Sequence, residues 1–207
     1  MFQPPIFKEE RQDVLSGAIA KHPLATLVCS SAEGLIANHL PMLFAEAEGV
    51  LQAHLSRGND LIKHYEDGVE ALAIFQGPSH YITPSWYPAK QEHGKVVPTY
   101  NYMTVHVRGR LTFHEDSEWL LTHLNALTNK QEAGRTEPWK VSDAPEKFVE
   151  RQLKGIYGLQ FEVSEMVGKW KMSQNQPAEA RAGVVEGLRE DADYNAVETA
   201  EAVEGAS

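Results

Sequence analysis

Apolar residues recur at helical spacing near the start of the chain. Val14, Leu15, Ala18 and Ile19 fall on one face of residues 10–20, and Pro23 ends the helix they predict. The period then shortens. LATLVCS, GLIANHLPMLF and VLQAHLS are apolar or β-branched runs separated by SAEG and EAEG, the pattern of strands joined by tight turns. A short helix over NDLIKHYEDG interrupts this meander, VEALAIFQG resumes it, and YMTVHVRGRLTFHED alternates as a long strand. Residues 117–131 carry Leu120, Leu121, Leu124 and Leu127 at helical spacing, with Asp116 or Ser117 as the cap. Beyond a polar connector at 135–143, APEKFVERQLKGI reads as a helix and YGLQFEVSEMVGKWKMS as a last strand or hairpin, ahead of a final helix. Strands in a block, with turns too short for crossovers, predict a mainly β, antiparallel α+β fold. One barrel decorated by helices fits better than alternating βαβ units.

Composition narrows the class. The chain has 207 residues, 42% of them hydrophobic, enough for a substantial core. Residues 1–188 are expected to form one domain. Residues 189–207 hold Glu190, Asp191, Asp193, Glu198, Glu201 and Glu204 against Arg189 alone, with few large apolar residues, and are expected to be a disordered acidic tail. No run reaches the length of a membrane span and MFQPPIFKEE lacks the order of a signal peptide, so a cytoplasmic location is expected. The net charge of −10 argues against a broad basic surface for nucleic acid. The single cysteine, Cys29, sits in an apolar run and reads as a buried thiol.

The segment over residues 75–109 is aromatic and stiff. Pro78, Pro84, Pro88 and Pro98 fix φ around Tyr81, Trp86, Tyr87, Tyr100 and Tyr102, which suits either a platform for a flat ligand or a plug at one end of a β-rich core. Neither a dinucleotide fingerprint nor a Walker loop is present. The nine histidines (His22, His39, His54, His64, His80, His93, His106, His114, His123) form no zinc pattern. His39 and His54 lie on consecutive predicted strands, but without a placed carboxylate they make a weak metal case. No serine occupies a GxSxG elbow, and no residue is singled out as catalytic.

Two segments are rich in donors. AHLSRGND closes a strand and opens a helix with Ser56, Arg57 and Asn59 together, the chemistry of an anion site or, more simply, of a helix cap beside one arginine. KWKMSQNQP places Lys171, Ser173, Gln174 and Asn175 after Trp170, which reads equally as a site or as a turn before the last helix.

Taken in order, MFQPPIF, ANHLPM, AHLSRGND, GPSHYITPSWY, VPTYNY, KWKMSQN and GVVEGL resemble the PaiB-type family of FMN-binding negative transcriptional regulators, from Met1 to about Leu188. The resemblance implies a split β-barrel of the pyridoxamine-phosphate-oxidase type, with FMN in a groove between two copies of the chain. It implies that Asn38, His39, Leu40 and Pro41 border the isoalloxazine ring, with His54 and Asn59 nearby, and that Ser56 and Arg57 hold the phosphate. Lys171, Gln174 and Asn175 would come from the same or the opposite subunit. His80, Tyr81, Trp86, Tyr87, Tyr100, Asn101 and Tyr102 would form a wall of the site or part of the subunit interface. The chain has Ser56-Arg57-Gly58-Asn59 where the family has Ala-Arg-Ala-Asn, and Tyr100 where it has Trp; both changes keep the expected chemistry.

The family name implies repression of transcription. Without a helix-turn-helix carrying a basic recognition face, an indirect or flavin-linked role is expected over direct DNA contact. The alternative is an FMN-dependent oxidoreductase or flavin reductase acting on a small substrate stacked on the flavin. A third reading, tetrapyrrole handling, needs a histidine free to ligate iron, and the sequence singles none out.

Overall fold

The computed structural model describes residues 1–31, 34–64, 68–191 and 193–206. In chain order the elements are β1 (Lys8–Glu9), α1 (Gln12–Lys21), β2 (Leu24–Ser31), β3 (Gly34–Pro41), β4 (Leu43–Ala45), β5 (Val50–Ser56), α2 (Leu61–His64), β6 (Val69–Ile82), α3 (Ala89–Glu92), β7 (Thr99–His114), α4 (Ser117–Glu132), α5 (Glu146–Leu153), β8 (Ile156–Lys171), α6 (Ala178–Asp191) and α7 (Tyr194–Gly205). Eight strands form one sheet in the order β3-β2-β6-β7-β8-β5-β4, with β1 paired to β8. The pairing is antiparallel, as the short turns predict, and the path does not close on itself among the described residues. The α+β expectation holds.

Two compact units share the chain. One comprises Ser16–Phe75 and His106–Met166 and is called here the Arg57 unit. The other comprises Met1–Leu15, Gln76–Val105 and Val167–Ser207 and is called the Trp86 unit.

The Arg57 unit packs Leu27, Leu51, Leu55, Phe75, Leu111, Leu159 and Phe161 at or near complete burial. Cys29 lies in this core, and burial pushes its thiol up to about 11. Gly109 permits a close strand approach: a Cβ there would stand 2.0 Å from the Glu162 carbonyl oxygen. On α4, Leu120 and His123 are buried while Leu121 faces solvent, so the apolar stripe is rotated from the one the leucines alone suggest. GLIANHLPMLF is two strands because the Met42 amide turns aside to donate to the Pro23 carbonyl (2.9 Å). The SAEG turn includes residues 32–33, and the end of the NDLIKHYEDG helix includes 65–67; both lie outside the described residues.

The Trp86 unit corrects two expectations. Part of the aromatic segment is strand: β6 continues through GPSHYI and β7 starts at Thr99, where sheet pairing overrides the proline signal. The acidic C-terminal stretch, expected to be disordered, is helical. Ala196, Ala200 and Val203 recur at helical spacing and are buried, so small residues suffice to pack α7, which the Asp193 side chain caps at the Ala196 amide (2.7 Å). GVVEGL also gains a reason. A Cβ on Gly183 would stand 2.2 Å from the Trp86 carbonyl oxygen, and one on Gly187 2.2 Å from its indole, so α6 presents a glycine face to that tryptophan.

Candidate functional site

In the Arg57 unit the polar residues converge where β5 ends. Ser56 pairs with Ile156 at the start of β8, and the Arg57 amide donates to the Gly155 carbonyl (2.9 Å), fixing the chain as it leaves the sheet. The Ser56 hydroxyl accepts from the Gly58 amide (3.2 Å). Asn59 donates through Nδ2 to Asn38 Oδ1 on β3 (2.7 Å) and accepts from the Leu61 amide (2.9 Å), so it ties the turn to the sheet and caps α2. Four residues of α2 are too few for a helix dipole to act on an anion, which leaves the side chains to do so.

Arg57 is half-buried between exposed Ser56 and Gly58 and is already ordered. Its guanidinium lies 4.1 Å from the centre of the Tyr157 ring, and Nη1 donates to Glu115 Oε2 at 2.9 Å. Its Nε is buried and has no partner among the described residues. A guanidinium held over an aromatic face, with Nε unsatisfied and Nη1 on a solvent-exposed carboxylate, has the chemistry to take an anionic group.

Alternation along β3 separates the residues expected to border a flavin ring. Asn38 and Leu40 face one side, where Leu40 is buried; His39 and Pro41 are exposed on the other. His39 Nδ1 lies 3.1 Å from Thr26 Oγ1. His54 shares a face of β5 with Ser56, but its Nδ1 lies 3.2 Å from Nε2 of His123 on α4. Each of these two histidines therefore has its own partner. Among the described residues no group of three or more His, Cys, Asp or Glu is placed to hold a metal.

Behind His54 runs an aromatic ladder that the sequence did not suggest. His114 stacks on Trp119 (4.4 Å, 7°), Trp119 on His123 (5.5 Å, 21°), and His123 meets His54 edge-on (5.4 Å, 64°). Gly158 makes room for it, since a Cβ there would stand 2.2 Å from the Trp119 ring. Burial lowers the His54 imidazole, and burial followed by the His54 charge lowers His123 to about 4. Both rings are neutral at pH 7. Glu115, Tyr157 and Trp119 are the residues here that no motif marked, because only the tertiary fold brings Glu115 and Tyr157 to Arg57 and packs Trp119 between His114 and His123.

The remaining expected residues belong to the Trp86 unit. Lys171 Nζ donates to Thr99 Oγ1 and to the Tyr100 carbonyl oxygen (2.6 Å), and burial, then the Lys169 charge, lowers its ammonium from the usual lysine range. Asn101 and Ser173, both buried, bond to each other through Asn101 Nδ2 and Ser173 Oγ (2.9 Å). Ser173 takes a left-handed backbone with φ 62°, the position that turns the chain out of β8. Gln174 donates to the Trp170 carbonyl (2.6 Å) and accepts from the Met172 amide (2.7 Å); Asn175 is exposed. The hydrogen bonds of Gln174 are those of the turn reading.

The aromatic residues divide. Tyr87 is buried and Trp86 is braced by the α6 glycines, whereas Tyr81 and Tyr100 meet at 5.8 Å and stay exposed. Tyr102 lies under the Lys169 ammonium at 5.2 Å. His80 stacks on Trp86, bonds through Nδ1 to the Tyr81 carbonyl oxygen (2.7 Å), and has Nε2 3.8 Å from Asp191 and 3.7 Å from Asp193.

Residues 1–165 match the family model described as "Putative FMN-binding domain". The chain belongs to this FMN-binding family. Over 206 residues it is 30% identical to the protease synthase and sporulation protein PAI 2 of Bacillus subtilis, covering 99% of this chain and 97% of that one. An uncharacterized protein of Aspergillus fumigatus is 35% identical over 78% of this chain and 67% of its own. Among solved structures, the FAD and heme binding protein of Mycobacterium smegmatis aligns with TM-score 0.60 at 15% identity over 79% of this chain and 73% of that one. The flavocytochrome Anf3 of Azotobacter vinelandii aligns with TM-score 0.58 at 13% identity, over 79% and 69%. These likenesses bear out the expected fold and family, and FMN is the family's cofactor. No described helix is long and apolar enough to cross a membrane.

Proposed function

We propose that Ser56 and Arg57 hold the phosphate of FMN, that two copies of the chain enclose the flavin, and that the flavin-loaded protein regulates through a partner rather than by gripping DNA. The observation that carries the phosphate assignment is Arg57, held over the Tyr157 ring with Nε buried and without a partner among the described residues. Ser56 adds a hydroxyl whose proton is left to donate, because its oxygen already accepts from Gly58. Asn38 and Asn59 fix the turn that carries both. Bound FMN supplies one- and two-electron redox chemistry, while the protein orients it and sets the polarity around it.

The Bacillus subtilis relative is named for protease synthesis and sporulation, which suits a regulatory role, and the net charge of −10 favours a protein partner over nucleic acid. A second copy is favoured by the edge strand β3, which leaves Leu35 79% exposed. A cytoplasmic location accords with this reading. The exposed pair Tyr81 and Tyr100 favours a second reading, an oxidoreductase whose flat substrate stacks beside them.

The first test is an absorbance spectrum of the purified protein. Flavin bands that survive gel filtration are expected, and a colourless protein that takes up no added FMN would refute the proposal. Sedimentation of the flavin-loaded protein should give a dimer. Bleaching of the bound flavin by NADH or NADPH would move the conclusion to the oxidoreductase, and a salt-dependent shift of DNA by the protein alone would move it to direct repression.

A further inference from the structure

Arg57 meets two kinds of neighbour. Tyr157 supports its plane, and Glu115 occupies Nη1 at 2.9 Å. Glu115 stands in the two-residue connector between β7 and α4 and its side chain is 64% exposed. Its neighbour Asp116 is committed elsewhere, accepting from the Trp119 amide at 2.7 Å as the cap of α4. Glu115 is therefore the one carboxylate placed on this guanidinium among the described residues.

We infer that Glu115 sets the charge selectivity of the phosphate site by competing with the ligand's anionic group for Arg57. The inference rests on the assignment of Arg57 to the FMN phosphate. An ion pair open to solvent is weakly held, so an arriving phosphate displaces it at little cost. While the pair stands, it cancels the charge of the guanidinium and holds the ring-stacked geometry. Once phosphate occupies Arg57, the Glu115 carboxylate becomes a like charge beside a dianion and must rotate toward solvent, which its exposure allows. The residue thus weakens binding of every ligand that reaches Arg57 through an anion and leaves the rest of the flavin's contacts untouched. A phosphorylated flavin outcompetes the single carboxylate through its second negative charge. A monoanion loses a larger share of its affinity to the same competition.

The test is titration of flavin-free, full-length protein with FMN and with riboflavin, followed by quenching of flavin fluorescence. Glu115→Gln should tighten FMN by about three- to tenfold and leave riboflavin unchanged, and inorganic phosphate should compete with FMN more strongly in this variant than in the wild type. In an Arg57→Ala background the effect of Glu115→Gln on FMN should vanish. Equal or weaker FMN binding by Glu115→Gln would overturn the inference, as would equal tightening of riboflavin; Glu115→Ala gives the same readings without an amide that could bond to Arg57. If Arg57→Ala alone leaves FMN affinity unchanged, the phosphate assignment fails instead, whatever Glu115 does.

Discussion

SRGND and KWKMSQN look alike on paper: each follows a strand and each groups serine, amide and basic side chains. They fold to different outcomes. In the Arg57 unit, the turn after β5 leaves the guanidinium Nε and the serine proton without a partner among the described residues. In the Trp86 unit, the turn after β8 spends its side chains on itself, with Gln174 closed on Trp170 and Met172, and Ser173 on Asn101. A run of donors marks a site only where the main chain does not consume them, and hydrogen-bond partners decide that.

The comparison can be stressed first by acid. The unfolded chain takes up a proton on each histidine near pH 6.5, whereas folded His123 resists until about 4 and His54 is lowered as well. The unfolded state binds more protons in that window. Stability is therefore fully present above about pH 6.5 and falls as pH drops toward 4, by up to about 3 kcal/mol for His123. Thermal melts from pH 7.5 to 4.5 should show the fall, with α4 losing hydrogen-exchange protection, and His123→Leu should flatten it. A melt that stays level over this range would contradict the neutral, buried pair.

Arg57→Ala comes next. A charge-assisted hydrogen bond contributes about 1.5–3 kcal/mol, so FMN affinity should drop by about tenfold to a hundredfold with little change in melting temperature. Isothermal titration distinguishes this from a folding defect. The smallest effect is expected from Gln174→Ala. It removes two bonds to the main chain in a partly exposed turn and should cost about 1 kcal/mol of stability while leaving FMN affinity as it was. A large loss of FMN binding in this variant would erase the contrast between the two turns.

Much of the fold was legible. The 3.6 period found α1, α4 and α5, and the short apolar runs found β2, β3 and β5, because each pattern is set by residues close in sequence. β6 was cut short at the prolines, since the pairing that extends it through GPSHYI lies 27 residues away, where the Gln76 side-chain amide donates to the Met103 carbonyl. α7 was read as disordered because alanines register weakly in any apolar count, yet Ala196 and Ala200 are buried. Of the candidate site, Ser56, Arg57 and Asn59 were legible as neighbours in sequence. Glu115 was not: it comes to Arg57 across 58 residues.

The chain by itself determined its family and its cofactor, through side chains whose spacing repeats a recognisable order, and it determined most of the elements, because periodicity is local. Tertiary structure decided which donors remain available. Whether an amide, hydroxyl or guanidinium is satisfied depends on groups that strand pairing delivers from far along the chain, and no local pattern records them.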